Sequence, residues 1–309
     1  MRRVAITGAT GFLGRHLVRV FTEAGWRVRI LARRDPTPVI GTRQGIEVTP
    51  GGLEDAVCLD RLCDGADLVV HAAGLVKARR DRDFHRANVE GADRLARAIQ
   101  TMAPAAHTLL VSSLAAREPA LSPYAASKRG GEVAMEAHLG DRLTVVRPTA
   151  IYGPGDRETF ALFAAAAAGN PLPILHPTAR LTLVHVEDVA RRLVELADAP
   201  RPGTLPVCDD RPMGYSWTEL MTAAAAAVGR EPRLFRAPDI LIRAAAGVSV
   251  LSRLYGRSPV FTPEKANELL HRDWSLKPQE LGTSGAGDCI SINRGFADTV
   301  AWARGAGWL

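Results

Sequence analysis

Thr7-Gly8-Ala9-Thr10-Gly11-Phe12-Leu13-Gly14 is the stretch that decides the fold. The aliphatic run before it, Arg3–Thr7, has the composition of a buried strand. The segment after it, Phe12–Ala24, has helical period, so the three glycines sit on a strand-to-helix turn. Missing side chains at Gly8 and Gly11 allow a tight turn and close approach of a pyrophosphate to backbone N–H groups, while Gly14 lets helix and strand pack closely. Spacing alone is weak evidence: with 28 glycines in 309 residues, three glycines three apart arise by chance about 0.2 times per chain. Position carries the reading, because the turn opens a chain in which strands and helices go on alternating.

Outward from that turn, strands are expected near Arg27–Ala32, Glu47–Thr49, Leu68–Ala72, Thr108–Ser112 and Leu143–Arg147. Helices are expected near Asp55–Cys63, Phe84–Met102 and Pro123–His138. This is the pattern of an α/β, doubly wound parallel Rossmann sheet. After Arg147 the alternation breaks at Pro148, Gly153, Pro154 and Gly155. The expected organisation is a dinucleotide-binding domain over residues 1–155, with 181–200 returning to it, and a smaller, mostly helical substrate-binding cap over 156–309. Helices in the cap are read at Ser216–Val228, Asp239–Leu254, Pro263–His271 and Arg294–Arg304, with Glu187–Asp198 in the returning segment. The alanine runs Ala164–Ala168 and Ala223–Ala227 read as close-packing helix.

Composition excludes several classes. Arg or Asp interrupts every apolar run short of the roughly 20 residues of a spanning helix, so no membrane partner is expected. The first strand begins so near Met1 that no secretory leader fits before it, which puts the expected location in the cytoplasm. Cys58, Cys63, Cys208 and Cys289 contain no Cys-x-x-Cys pair. The net charge is +6, but of 39 basic residues only Lys77, Lys128, Lys265 and Lys277 are lysines. The arginines are scattered, so no nucleic-acid partner is expected. The histidines show no His-Glu-x-x-His spacing, and no Gly-x-Ser-x-Gly elbow is present, so neither a metal site nor a serine hydrolase is proposed.

A site selective for NAD needs a carboxylate at the end of the second strand for the ribose 2′-hydroxyl. Here that strand runs into Arg33-Arg34, with Asp35 late and beside two guanidiniums. Arg33 is suited to a 2′-phosphate, through a charge-assisted fork worth roughly 1.5–3 kcal/mol. NADP(H) is therefore the preferred cofactor and NAD(H) the alternative.

Tyr124 and Lys128 are four apart at the start of a helix and share its face. With four of each residue in the chain, such a pair arises by chance about 0.05 times. An ammonium about 4 Å from a phenolate, at an effective dielectric near 20, is worth about 4 kcal/mol, or roughly three pKa units. A phenol so tuned is a general acid towards a carbonyl receiving hydride. Ser113 at the end of the fifth strand is the preferred partner for the substrate oxygen, with Ser112 in reserve.

With these residues in hand, the chain resembles the extended short-chain dehydrogenase/reductases, the NAD(P)-dependent epimerase/dehydratase superfamily with its dihydroflavonol-reductase-like members. The likeness covers nearly its whole length. It also rests on Asp67-Leu68-Val69-Val70-His71-Ala72-Ala73-Gly74, Asn88-Val89-Glu90-Gly91, Arg147-Pro148 with Tyr152-Gly153-Pro154, Val184–Ala190, and the closing Phe296–Trp302 and Gly307–Leu309. The resemblance implies catalytic Tyr124 and Lys128. It also implies a cofactor lined by Gly8, Thr10, Gly11, Phe12, Leu13, Gly14, Arg33, Arg34, Ala72, Ala73, Gly74, Val111, Tyr124 and Lys128. Pro148, Ala150 and Ile151 would lie by the nicotinamide and Leu53 by the adenine. His185 and Asp188 take a structural role at the domain junction, and a homodimer is implied. Nucleotide-sugar members carry Asn at the position of Ala150 and Arg-Asp-Tyr/Phe where Leu181-Thr182-Leu183 stand. Both departures make the substrate side more apolar. The expected function is NADPH-dependent reduction of a ketone or aldehyde on a small, relatively apolar substrate. The alternatives are a nucleotide-sugar epimerase or dehydratase with tightly bound NAD, and a non-catalytic NAD(P)-binding regulator.

Overall fold

A computed structural model describes residues 2–41, 45–250, 262–281 and 289–309. Contacts divide the chain into two units, Met1–Pro148 with Val189–Leu205, and Thr149–Asp188 with Pro206–Leu309.

The first unit is built on a sheet of β1 (Arg3–Thr7), β2 (Arg27–Ala32), β3 (Ile46–Pro50), β4 (Leu68–His71), β5 (His107–Val111), β6 (Leu143–Pro148) and β7 (Gly203–Val207). Its spatial order is β7-β6-β5-β4-β1-β2-β3. The parallel registers include Ile6 beside Ile30 and Thr7 beside His71. Strand order reverses at β1, which has β2 on one side and β4 on the other. In doubly wound sheets that reversal opens a crevice at the carboxyl ends of the strands, and the Gly8–Gly14 turn stands there. β1 and β4 are buried along almost their whole length, as strands covered on both faces must be.

The crossovers are α1 (Phe12–Glu23), α2 (Ala56–Cys63), α3 (Gly91–Met102) and α4 (Pro123–Leu139). Leu59, Leu62, Leu95 and Ile99 are fully buried in one cluster with Val69 and Leu110, each stabilising the fold by about 1.5–3 kcal/mol. The expected helix over Phe84–Met102 is not uniform. Asp81–Phe84 is a single α turn, His85–Glu90 is a π-helical turn, and α3 follows. The wide turn carries Asn88, whose backbone oxygen lies so close to Gly131 of α4 that a Cβ there would collide with it. Gly130 and Gly131 in mid-helix are therefore contact residues, bringing α4 against the π turn.

In the second unit, α5 (Phe160–Ala167), the start of α6 (Val186–Asp198), α7 (Trp217–Ala227), α8 (Asp239–Val250), α9 (Pro263–Leu270) and α10 (Ile292–Gly305) are joined by two-stranded parallel pairs. Ala150–Tyr152 pairs with Leu183–His185, and Leu172–Ile174 with Leu234–Arg236. Residues 251–254 of the expected Asp239–Leu254 helix lie outside the described residues. Tyr152 is fully buried edge-on to Phe296, with ring centroids 5.1 Å apart, and Phe296 is edge-on to Phe163 at 5.0 Å. A Cβ on Gly295 would overlap the Tyr152 hydroxyl. The Tyr-Gly-Pro stretch thus anchors the core of this unit. Among the described residues no helix is long and apolar enough to cross a membrane, and no group of acidic, His and Cys side chains could hold a metal ion.

Candidate active site

The turn between β1 and α1 is tight because Gly8 takes φ +75° and its carbonyl accepts from Gly11 N–H at 2.9 Å. A side chain at Gly8 would lie 2.6 Å from the Ala72 carbonyl carbon and Ala73 nitrogen, and one at Gly14 would overlap the Gly8 carbonyl oxygen. α1 has no side-chain cap, and among the described residues no acceptor meets the Phe12 or Leu13 N–H. Orphan N–H groups at a helix start, with bare α-carbons in front of them, fit the diphosphate of a dinucleotide.

Thr7 and His71 hold β1 and β4 together at the crevice. Thr7 Oγ1 and His71 Nδ1 share a 2.6 Å hydrogen bond, and Ala73 N–H donates to Thr7 Oγ1 at 3.3 Å. Burial, with the nearby Lys128 charge, pushes the His71 pKa down to about 3, so this imidazole stays neutral at working pH. Ala72, Ala73 and Gly74 follow at the strand end, part-buried or exposed. Asn88 fixes the next turn, accepting from Leu75 N–H at 2.8 Å and donating to Leu75 O at 3.0 Å and Ser127 Oγ at 2.8 Å.

Tyr124 and Lys128 begin α4, whose N-cap Ser122 accepts from Ala125 N–H. The Lys128 ammonium donates to the carbonyl oxygen of Val111, the last residue of β5, at 2.8 Å. Desolvation lowers its pKa to about 8, against the pull of Glu132 in the other direction. Lys128 Nζ would be 3.6 Å from a Cβ on Gly74, which brings the ammonium to the Ala72–Gly74 strand end. The Tyr124 ring stands edge-on to Phe84, with centroids 6.1 Å apart.

The two serines differ. Ser112 is buried and donates to Glu132 Oε1 at 2.5 Å. Ser113 is part-exposed and caps the next turn by accepting from Ala115 N–H at 3.1 Å. That contact uses a lone pair of Ser113 Oγ and leaves its O–H as a donor.

Glu132, which the motif reading passes over, organises this end of the sheet. It is 1% exposed and takes Arg147 bidentately, Nε to Oε1 at 2.8 Å and Nη2 to Oε2 at 2.6 Å, with Arg129 Nη1 at 3.0 Å. Burial works against its charge, yet the Arg147 and Ser112 hydrogen bonds win and hold the carboxyl below its ordinary range. A glutamate four residues beyond the lysine, on the same helix face, was the available signal.

At the ends of β2 and β3 a cleft of about 340 Å³ is lined by Ala32, Arg33, Arg34 and Pro50 among others. Both arginines are exposed. Asp35 accepts from Thr37 N–H at 3.0 Å, and the Thr37 contacts lower its pKa. Its carboxylate is engaged in the local turn. Leu53 packs against Gly91 and the α2–α3 core, on the same half of the sheet. Thr10 and Gly11 are exposed in the turn, Val111 is buried, and Pro148 ends β6 buried. Ala150 and Ile151 belong to the second unit, on the strand beside Leu183–His185.

A seven-stranded sheet entered at its switch point, with Tyr124 and Lys128 on the helix beyond β5, defines an extended short-chain dehydrogenase/reductase. Residues 4–207 match the NAD dependent epimerase/dehydratase family, and the chain belongs to it. It is 48% identical over 307 residues to the ceramide reductase of Caulobacter vibrioides (strain NA1000 / CB15N), covering 99% of this chain and 96% of that protein. Its fold is similar to the Bordetella bronchiseptica enzyme WbmH in complex with NAD+, at TM-score 0.77, 20% identity and 99% coverage of each chain. It is also similar to the human epimerase family protein SDR39U1 (isoform2) with NADPH, at TM-score 0.73 and 19% identity, covering 97% of this chain and 99% of that one. The protein is an enzyme, an NAD(P)-dependent oxidoreductase. A near-full-length relative that is a reductase leaves the epimerase alternative less favoured.

Proposed function

We propose that the protein reduces a ketone on a long-chain amide lipid of the ceramide type, using NADPH. The observation that carries the substrate class is the 48% identity, over nearly the whole chain, to a ceramide reductase. Chemistry narrows which carbonyl reacts. The amide carbonyl of such a lipid is deactivated by its nitrogen lone pair, so the hydride acceptor is a ketone on the long-chain base and the product is a secondary alcohol. Ala150 and Leu181, where nucleotide-sugar members carry Asn and Arg, agree with that class.

A bound nicotinamide supplies the hydride. Gly8, Gly11 and the N–H groups at the start of α1 hold the diphosphate. Arg33 and Arg34 would receive a 2′-phosphate, with Asp35 accepting from Thr37 beside them. Ser113 O–H donates to the ketone oxygen, and Ser112 takes no part because its proton is committed to Glu132. As the carbon–oxygen π pair moves onto oxygen, the Tyr124 hydroxyl delivers the proton. Lys128, held by Val111 O, presents a positive charge that favours the phenolate left behind.

The test is a spectrophotometric assay at 340 nm with an N-acyl 3-oxo long-chain amine, with the lipid product identified by mass spectrometry. NADPH oxidation matched one-to-one by a secondary alcohol is the expected result. Conversion of a UDP- or dTDP-sugar without net nicotinamide oxidation, and no reaction with the keto-lipid, would overturn the reading.

A further inference from the structure

The outer face of α8 is apolar where a surface helix is ordinarily polar. Ile242 and Ala246 are buried, in a cluster with Ala266 and Leu270 of α9. On the opposite side Ile240, Leu241 and Val248 are 74%, 62% and 66% exposed, with Ala244 and Ala245 exposed between them. At 100° per residue these five positions fall in one arc of the helix, and Phe235 on the preceding strand is 47% exposed as well. The helix is therefore apolar on both faces, with nothing among the described residues covering the outer one.

The segment that leads into this helix and along it is net basic. Between residues 230 and 243, Arg230, Arg233, Arg236 and Arg243 are exposed against Glu231 and Asp239. Arg243 donates to Asn267 Oδ1 at 2.9 Å and Arg233 to Gly169 O at 3.4 Å, both uncharged acceptors. An exposed apolar arc flanked by arginines matches a helix lying in a membrane interface, its apolar face about 5–10 Å into the headgroup region and its cations on anionic lipids. A second copy of the chain fits less well, since a two-fold contact through the middle of this face would set Arg243 near its own counterpart.

We propose that the outer face of α8, with Phe235 and Arg236, docks the enzyme on an anionic phospholipid bilayer. This rests on the proposed function, because a long-chain amide lipid resides in a bilayer and must be met there. It departs from the sequence expectation of no membrane partner, which addressed spanning segments. Each apolar residue of the arc looks ordinary in sequence, and the exposure that gives them meaning arises because α8 uses only Ile242 and Ala246 for packing.

The experiment is flotation of the full-length protein with phosphatidylcholine vesicles, with and without phosphatidylglycerol, beside the Leu241→Asp/Val248→Asp double variant and Arg236→Glu. Wild type should float with the anionic vesicles, and less so as salt is raised. The double variant should lose about tenfold or more in partitioning, and Arg236→Glu should lose binding mainly on anionic vesicles. Turnover of a short-chain, water-soluble keto-amide should stay within about twofold for both variants, since none of these residues is assigned a part in cofactor binding or proton transfer. Wild type remaining at the bottom of the gradient, or variants floating as wild type does, would overturn the proposal. So would a wild-type dimer that the double variant converts to monomer without any vesicle binding. Flotation that depends on this face, in an enzyme inert towards keto-lipids, would retain the docking surface and sink the substrate class instead.

Discussion

Replacing Glu132 by Gln removes the carboxylate charge that Arg147, Arg129 and Ser112 donate to at the end of the sheet. Glu132 is 1% exposed and Arg147 16%, so the variant takes a charge partner from a guanidinium that is mostly shielded from water. Breaking a buried pair on one side costs about 3–5 kcal/mol, a large share of the roughly 5–15 kcal/mol of a whole domain. At about 2–4 °C per kcal/mol for a unit of this size, the melting temperature of the apo-protein should fall by about 10 °C. The sign of its pH dependence follows from the depressed carboxyl pKa. A depressed carboxylate contributes stability above its ordinary unfolded value and loses it as pH falls through the folded one. The gap between wild type and variant should therefore be full at pH 7 and narrow below about pH 4. A kinetic consequence separates this from simple loosening. Glu132 supports the charge on Lys128, so without it the alkaline limb of kcat/KM should move to lower pH. Differential scanning fluorimetry across pH and a pH–rate profile are the assays. A melting temperature within about 2 °C of wild type at pH 7, with an unmoved alkaline limb, would refute the reasoning.

Other expectations concern the cofactor and proton-transfer groups. Reduction should decline as pH rises through about 8, where Lys128 loses its proton. The same depression predicts that this group's contribution to stability increases between about pH 8 and its ordinary 10.5, because there the unfolded chain binds more protons; a urea-unfolding series over that range would show it. Arg33→Ala should weaken NADPH about tenfold to a hundredfold and leave NADH nearly unchanged, and equal losses for both in fluorescence titration would remove the 2′-phosphate assignment. Gly14→Ala should abolish measurable dinucleotide binding, since a Cβ there overlaps the Gly8 carbonyl oxygen. Retained binding at wild-type affinity would mean that the turn is not the cradle.

Much of the first unit was legible because its strands carry their own burial pattern. Arg3–Thr7 and Arg27–Ala32 appear at the expected bounds, and the other expected strands differ by one residue at one or both ends. β7 was missed, since Gly203–Val207 is short, holds Pro206 and reads as a loop. The short parallel pairs at Ala150–Tyr152 and Leu172–Ile174 were missed for a related reason: three residues carry no period, and only their partners far along the chain define them. The π turn at His85–Glu90 has no period that marks it in sequence, and it accompanies the close approach of Gly131 to Asn88. At the site, Tyr124 and Lys128 stood out by spacing and the glycines by position. Ser113 was preferred over Ser112 from the sequence, but the bond that holds Ser112 to Glu132 was not legible there, and Glu132 itself hid among ordinary helical glutamates.

The most direct test is the Tyr124→Phe variant, which deletes one oxygen and keeps the ring against Phe84. NADPH affinity should stay within about threefold of wild type while kcat for the keto-lipid falls by roughly 10²–10⁴. A phenylalanine enzyme that turns over at the wild-type rate would contradict the assignment of the proton donor, and with it the reductase chemistry built on this helix.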